Sequence, residues 1–525
     1  MTPAVMTTSD AAPSGAPESS MSRERRLDVE HLQSDLGGRT ARGAAVTFVS
    51  QALKFIIGFS GTVVLARLLT PEDYGLVGMI AVFTGFVIIF RDLGLSAATV
   101  QRTDLRHAQI SALFWVSAAV GAVLALVIAA MGPAFAWLYG EPRLTAIAAV
   151  AALAILVGGL GSQQEALLRR QMRFTALAVV DITTMLTGVV IAVVLAWYGA
   201  RYWSIVVGQV AAEVAFNTGV WLLSGWRPSA PARASGVRSM LVFGGNFTGA
   251  RVINYCARAL DKLLIGRVWG AHQLGLYSRA YQLFLLPMDQ INAPIAAIAI
   301  PALSRLTDSP ERYRQAYIRL IEKLAMITMP MAAFLIATAD WLVLLILGPR
   351  WAEVSTIFAW LGLAGLIEPI TGTAGWLFIS QGRTWEQFRW GFIGGTLMMI
   401  SVVLGLPWGA VGVAASYSLT AMFLTTPLLL YFVTRTGPLR ARDIYRVIAP
   451  PTCASLSGLI ALLLFRKFVV LASLSLSLIV GMGIMIVITM LVLAGLPSGR
   501  AALRDLWHTA VTSLSRHERL PRART

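Results

Sequence analysis

Long apolar segments separated by short polar loops follow one another along most of the chain. A helix needs about 20 apolar residues to cross roughly 30 Å of hydrocarbon. Segments of that length lie at residues 43–66, 75–98, 109–131, 144–162, 174–198, 202–224, 238–265, 274–301, 318–346, 354–379, 387–405, 409–433, 446–465 and 469–495. The pattern predicts an all-α polytopic membrane protein with about 14 transmembrane helices.

Composition agrees with a membrane protein. Of the 525 residues, 57% are hydrophobic and only 13% are charged, whereas soluble domains carry about 25% charged residues. The net charge of +17 could indicate a nucleic-acid partner, but the basic residues form short clusters between apolar segments. Membrane topology explains such clusters better, because basic residues concentrate in cytoplasmic loops. We therefore expect no nucleic-acid partner.

The distribution of arginine predicts the orientation of the chain. Most arginines fall in the two terminal segments and in every second loop, and the intervening loops are short. The positive-inside rule then places both termini in the cytoplasm. Residues 1–38, rich in Ser, Pro and Ala, are expected to form a disordered cytoplasmic tail without a signal peptide. Residues 497–525 are expected to form a basic cytoplasmic tail.

A short repeat links two halves of the chain. Residues 67–76 (RLLTPEDYGL) and 267–276 (RVWGAHQLGL) share Arg, Gly and Leu in register and follow the first and seventh predicted spans. Six spans separate the two copies, so both halves would insert in the same orientation. The repeat predicts two six-helix lobes, 39–225 and 238–435, related by a pseudo-twofold axis along the membrane normal. Residues 226–237 form a cytoplasmic linker, and 436–496 add two transmembrane helices.

The seventh predicted span carries an unusual set of polar side chains. They are Arg251, Asn254, Arg258, Asp261 and Lys262, and at helical spacing they fall near one face. Charged residues at membrane depth persist beside a partner, a cavity or a polar ligand.

The repeat sets Lys54 at the position of Asn254, so these residues predict a central basic cavity for an anion such as phosphate. Alternatively, Arg258 and Asp261 neutralise each other, while Arg251 and Lys262 extend to the interface.

Other candidate residues are more isolated. Arg91 and Asp92, near the cytoplasmic end of the second span, could contact substrate or form a structural pair. Glu368, beside Pro369, is the preferred coupling site for a proton or cation among the few acids within spans, although a structural role fits equally well. The other such acids are Asp181, Glu213 and Asp340.

The chain contains no recognisable catalytic motif. A phosphate-binding loop, a His-Glu-x-x-His pair and a nucleophile elbow are all missing from the sequence. The two cysteines lack the spacing of a metal site. We therefore expect no enzymatic activity, no cofactor and no metal.

Six stretches resemble the polysaccharide transporter branch, often labelled lipopolysaccharide biosynthesis protein, of the multidrug, oligosaccharidyl-lipid and polysaccharide exporter superfamily. They are residues 66–79 (ARLLTPEDYGLVGM), 91–102 (RDLGLSAATVQR), 167–174 (LLRRQMRF), 261–267 (DKLLIGR), 274–282 (LGLYSRAYQ) and 375–384 (GWLFISQGRT).

This resemblance implies an O-antigen-type flippase in the bacterial cytoplasmic (inner) membrane. It implies two six-helix lobes around a central cavity and export of a polyprenyl-diphosphate-linked oligosaccharide to the outer leaflet by alternating access. Cationic cavity residues would hold the diphosphate, a role open to Lys54, Arg251, Arg258 and Lys262. Membrane lipids, and a polymerase and glycosyltransferases of the same pathway, are the implied partners.

Three other functions remain open from the sequence. A cation-coupled multidrug antiporter would need a cavity dominated by carboxylates or aromatic rings, and the polar spans here are mainly basic. A glycosyltransferase or polymerase would be expected to carry catalytic groups on long outer loops, which this chain lacks. A flippase for a peptidoglycan lipid precursor shares the architecture and the anionic cargo.

Overall fold

The computed structural model describes residues 36–92, 95–101, 106–230, 237–497 and 499–505, and its regular structure there is helical. The α-helices are α1 (Leu36–Leu68), α2 (Pro71–Asp92), α3 (Leu95–Gln101), α4 (His107–Ala130), α5 (Gly132–Tyr139), α6 (Arg143–Gly159), α7 (Ser162–Arg170), α8 (Phe174–Trp197), α9 (Tyr202–Ser224), α10 (Val237–Ser304), α11 (Pro310–Ala337), α12 (Ala339–Ile346), α13 (Val354–Leu366), α14 (Glu368–Ser380), α15 (Thr384–Gly405), α16 (Gly409–Thr420), α17 (Thr426–Thr434), α18 (Ala441–Phe468) and α19 (Leu474–Gly495). The all-α prediction is confirmed.

Ten helices of the described residues are long and apolar enough to cross a membrane, or up to twelve if each of two bent pairs forms one span. The number fourteen stays a prediction. The predicted number of spans exceeds the number of long helices because, at two places, two predicted spans follow each other without a long loop. Gly270 (φ 77°) interrupts α10, and Gly409 (φ 69°) begins α16 after the short turn that ends α15. Only glycine adopts such φ values without strain, so the chain can reverse sharply there.

The two halves of the chain touch at their copies of the short repeat. Gly75 lies near the start of α2, and Gly275 lies in α10 just after the kink at Gly270. Built onto Gly75, a Cβ atom would lie 1.7 Å from the carbonyl oxygen of Ala271, and one on Gly275 would lie 1.8 Å from that of Pro71. Each glycine therefore faces the residue four positions before the other glycine. Two glycines are required here because the backbones of α2 and α10 touch.

A second contact recurs at loops 210 residues apart. Nη1 of Arg173 donates to the carbonyl oxygen of Leu223 at 2.7 Å, and Nη1 of Arg383 donates to that of Val433 at 3.0 Å. In each half, an arginine at the start of the fifth predicted span thus holds the end of the sixth. These recurring contacts favour the predicted twofold relation between lobes, which for the lobes as a whole stays a prediction.

The last two helices pack outside the interface between the halves. Arg314 of α11 donates to Asp443 of α18 at 2.7 Å, and Arg466 of α18 donates to Asp340 of α12 at 2.6 Å. Buried residues of α11, α18 and α19 form a small apolar cluster with Ala502. The two helices thus extend the second half of the chain.

Parts of the predicted domain division lie outside the described residues. These are most of the two tails and, within the linker, residues 231–236. The start of the linker packs on the first half, since Nε1 of Trp226 donates to Nδ1 of His107 at 3.1 Å and Nε1 of Trp115 donates to the carbonyl oxygen of Ser229 at 2.8 Å. The domain boundaries themselves stay predictions.

Candidate substrate site between the two halves

A cavity of about 640 Å³ lies between α2 and α9 of the first half and α10. The kink at Gly270 divides α10 into two arms, and residues of both arms line the cavity. Its size is typical of small-molecule sites. Its polar lining residues are Tyr74, Gln209, Tyr255, Lys262, Ser278, Arg279, Tyr281, Gln282, Asp289 and Gln290. We call this space the interlobe cavity, and its wall combines two cations with one carboxylate.

Both cations of the interlobe cavity rest on tyrosine rings. The Lys262 ammonium lies 5.5 Å from the ring centre of Tyr281, and the Arg279 guanidinium carbon lies 3.6 Å from that of Tyr74. Arg279 also donates to Oε1 of Gln282 at 2.5 Å. Neither cation forms an ion pair within the described part of the chain. Cation–π contacts with tyrosine rings position Lys262 and Arg279 but leave their positive charges unneutralised. Both side chains can therefore attract an anion.

Asp261 faces a buried tyrosine. The Tyr277 hydroxyl donates to Oδ2 of Asp261 at 2.8 Å, and the backbone amide of Lys262 donates to Oδ1 at 2.7 Å. Tyr277 is fully buried. Asp261 therefore links the two arms of α10 on either side of Gly270. The side chains of Arg258, Arg251, Asn254 and Asp92 lie outside the described part of the structure. The predicted pairing of Asp261 with Arg258 therefore stays a prediction.

The structure places Lys54 and Arg91 on acidic partners in the first half. Nζ of Lys54 lies 2.8 Å from Oδ2 of Asp181, and Nη1 of Arg91 lies 3.2 Å from Oε1 of Glu213. Lys54 is not among the residues that line the interlobe cavity. Both side chains remain partly exposed, and their proposed roles in binding stay predictions.

Arg91 and Glu213 line a second space of about 530 Å³, which we call the N-terminal chamber. Helices of the first half line it, it is open on one side, and most of its walls are aliphatic. Three of its lining residues also line the interlobe cavity: Val77, Ala81 and Gln209. The two spaces therefore adjoin along α2 and α9.

A third space of about 420 Å³ is almost wholly apolar, and we call it the apolar groove. Phe55 and Phe59 of α1 form one side, and residues of α10 to α13 form the other. Leu286 and Gln290 line both this groove and the interlobe cavity. The apolar groove and the basic interlobe cavity therefore adjoin along α10.

Glu368 lies at a bend between two helices. Nδ2 of Asn292 donates to Oε1 of Glu368 at 2.8 Å, and the Thr371 hydroxyl donates to Oε2 at 3.3 Å. The chain bends by 51° between α13 and α14, and α10 bends by 43° just after Asn292. The hydrogen bond therefore connects two bent helices.

Sequence reasoning missed Arg279, although it stands near the start of the predicted span 274–301. Its motif, LGLYSRAYQ, contributed to the family resemblance but not to the site. The available signal was an arginine flanked by tyrosines inside an apolar segment. The local pattern does not show that Tyr74 of the other half packs on Arg279 at the cavity wall.

A helical membrane fold whose two halves enclose a basic cavity defines a transporter class. A family described as polysaccharide biosynthesis protein matches residues 64–356, and this chain belongs to that family. The lipopolysaccharide biosynthesis protein WzxC of Escherichia coli K12 is 23% identical over 402 residues, 75% of this chain and 80% of that protein. The teichuronic acid biosynthesis protein TuaB of Bacillus subtilis 168 is 24% identical over 350 residues, 66% of this chain and 72% of that protein.

A solved structure shares the fold. Lipid II flippase MurJ, in an inward closed conformation, superposes with a TM-score of 0.72 over 89% of this chain and 99% of that protein. The sequence identity is 14%, so the likeness concerns the fold alone. The predicted membership of the polysaccharide transporter branch is confirmed.

Proposed function

We propose that this protein is a flippase that moves a polyprenyl-diphosphate-linked oligosaccharide from the inner to the outer leaflet of the bacterial cytoplasmic membrane. The observation that carries the proposal is the junction of the interlobe cavity, with Lys262 and Arg279, to the apolar groove. The relatives, named for lipopolysaccharide and teichuronic acid biosynthesis, support a surface polysaccharide as the product.

The cations of the interlobe cavity suit a diphosphate. Arginine can donate two parallel hydrogen bonds to phosphate oxygens, and lysine acts as a point charge. Both Lys262 and Arg279 stand on tyrosines at the cavity wall, so their donors can turn to an anion without first breaking an ion pair. A positively charged drug would instead meet two like charges there against the single carboxylate of Asp289, which disfavours a multidrug antiporter.

The apolar groove suits the hydrocarbon chain of the cargo. Its walls carry aromatic and aliphatic side chains from α1 and from the second half. Lipid tails are as apolar as these walls, so a polyprenyl chain can pass from the bilayer into the groove without meeting water while its head group enters the interlobe cavity. Phe55 and Phe59 flank this path.

Alternating access then exposes the interlobe cavity to each side of the membrane in turn. With both termini cytoplasmic, as the arginine distribution predicts, an inside-negative potential favours outward movement of an anion. The contribution is about 2.3 kcal/mol per charge per 100 mV for a full crossing. Glu368, which connects two bent helices, is our candidate for ion coupling, and glycosyltransferases and a polymerase are the expected pathway partners.

Neutral substitutions test the diphosphate site. We expect Lys262→Gln and Arg279→Gln each to lower polysaccharide export at least about tenfold, because a hydrogen bond to a charged group is worth about 1.5–3 kcal/mol. Surface polysaccharide and cytoplasmic-leaflet lipid-linked intermediate would be measured in cells with matched protein levels.

Arg267→Gln is the control, since Arg267 is an exposed residue of the same helix outside the cavity lining. Export at the native level in both Lys262→Gln and Arg279→Gln would refute the diphosphate site.

A further inference from the structure

The three spaces described above follow one another in a fixed order. The apolar groove shares Leu286 and Gln290 with the interlobe cavity, and the interlobe cavity shares Val77, Ala81 and Gln209 with the N-terminal chamber. A lipid-linked oligosaccharide has the same order of parts, namely hydrocarbon, diphosphate and sugar. The N-terminal chamber is the part of this path that the diphosphate site leaves unassigned.

The N-terminal chamber combines apolar walls with one ion pair. Arg91 and Glu213 stand in the lining together with Thr84, Thr184 and Gln209. The described bond to Glu213 uses one of the five N–H donors of a guanidinium group. A hydrocarbon occupant would leave the remaining donors in a dry space, which is costly. Hydroxyl groups of a sugar could accept from them.

A glycine makes room for this ion pair. A Cβ atom at residue 158 of α6 would lie 1.9 Å from Nη1 of Arg91 and 2.9 Å from Oε2 of Glu213. The ion pair therefore packs directly on the backbone of Gly158, at the wall of the chamber. A larger residue at position 158 would push the Arg91 and Glu213 side chains into the open volume of the chamber.

We infer that the N-terminal chamber binds the first, uncharged sugar of the cargo while the interlobe cavity holds the diphosphate. This inference rests on the proposed function. The sugar is uncharged because Glu213 neutralises Arg91, and an acidic sugar would meet the like charge of the Glu213 carboxylate. Aliphatic lining residues contact the C–H faces of the ring, and Gln209 stands where the two spaces meet.

The test compares two lipid probes on the full-length protein in nanodiscs. One is undecaprenyl diphosphate, and the other is undecaprenyl diphosphate bearing a single N-acetylglucosamine. We expect the native protein to bind the sugar-bearing probe at least about tenfold more tightly, since sugar hydroxyls add hydrogen bonds to a charged group.

Filling the chamber should remove this preference. Ala154→Phe projects a ring into the chamber from α6, and we expect the ratio of the two affinities to fall to about one. Ala212→Leu, from α9, should lower the ratio in the same direction and guards against misfolding of the first variant. Ala149→Phe is the matched control, because Ala149 is an exposed residue of the same helix outside the chamber lining.

A third probe, with a single glucuronate, tests the charge argument. Glu213→Gln leaves Arg91 without its carboxylate partner, so the affinity for glucuronate relative to N-acetylglucosamine should rise about tenfold.

If the native protein shows no sugar preference, or if both filling variants keep it, the chamber does not hold the sugar. Failure of the native protein to bind undecaprenyl diphosphate would instead overturn the proposed function.

Discussion

At the scale of single residues, the structure separates charges that face a shared cavity from charges that face each other. Asp181, Glu213 and Asp340 all pair with basic side chains of other helices. Lys262 and Arg279 instead stack on tyrosines in the interlobe cavity. A charge in a membrane protein therefore identifies a binding site only when its partner is known.

The hydrogen bond between Tyr277 and Asp261 is a structural prediction at this scale. Tyr277→Phe leaves one oxygen of a half-buried carboxylate without its donor, so we expect a loss of about 1–3 kcal/mol in stability. Thermal unfolding of the purified protein in detergent measures the loss. Tyr198→Phe, at a residue 83% exposed, should leave the midpoint unchanged. An unshifted midpoint in Tyr277→Phe would mean that the bond contributes nothing.

At the scale of helices, the reciprocal contact of Gly75 and Gly275 brings the backbones of α2 and α10 into direct contact. The contact stands at the start of α2, at the end predicted to face outward. Because the obstacle to a side chain on either glycine is a backbone carbonyl, no rotamer change can relieve it. The two helices must separate if either glycine gains a Cβ atom.

Gly75→Ala and Gly275→Ala should therefore shift the protein away from the conformation described here. Steric overpacking of this kind costs about 1–3 kcal/mol or more, which is enough to change the balance of two conformations. Spin labels at residues 72 and 272, both exposed, should report a longer distance in each variant. Gly483→Ala, where a Cβ atom meets nothing within 4 Å, is the control. Unchanged distances would show that the contact is not a point of separation.

A second contact between helices is the hydrogen bond from Asn292 to Glu368. It connects the bend in α10 with the bend between α13 and α14. Glu368→Gln keeps a group that can accept from Asn292 but removes the negative charge. If Glu368 binds a coupling proton or cation, transport in liposomes should lose its dependence on that ion gradient and keep its dependence on membrane potential.

Glu353→Gln, at an exposed carboxylate, is the matched control for this experiment. An unchanged response of Glu368→Gln to ion gradients would exclude Glu368 as the coupling site.

At the scale of the whole molecule, the cavity system matches an elongated amphipathic cargo. The apolar groove, the interlobe cavity and the N-terminal chamber form a path whose polarity changes along its length. The first half supplies the chamber, whereas both halves supply the interlobe cavity. Relative movement of the halves would thus alter the proposed diphosphate site and leave the chamber intact, so that a sugar bound as we propose would travel with the first half.

The sequence by itself determined the helical membrane fold and the family, and it predicted a basic cavity. Apolar segment length decides how often a chain can cross hydrocarbon, and charges within such segments require a polar space. The repeat predicted two lobes but not that Gly75 and Gly275 touch, which the structure shows; only glycine permits backbones to approach so closely.

Tertiary structure decided which charges form that cavity. The repeat gives Lys54 the position of Asn254 in the other half, and the structure pairs Lys54 with Asp181, while Arg279 lies in the cavity wall against Tyr74. Helical spacing fixes the face on which a side chain lies, but the neighbour across that face comes from a distant part of the chain. Whether a charge is neutralised or left open to substrate therefore depends on packing between helices that the local pattern does not specify.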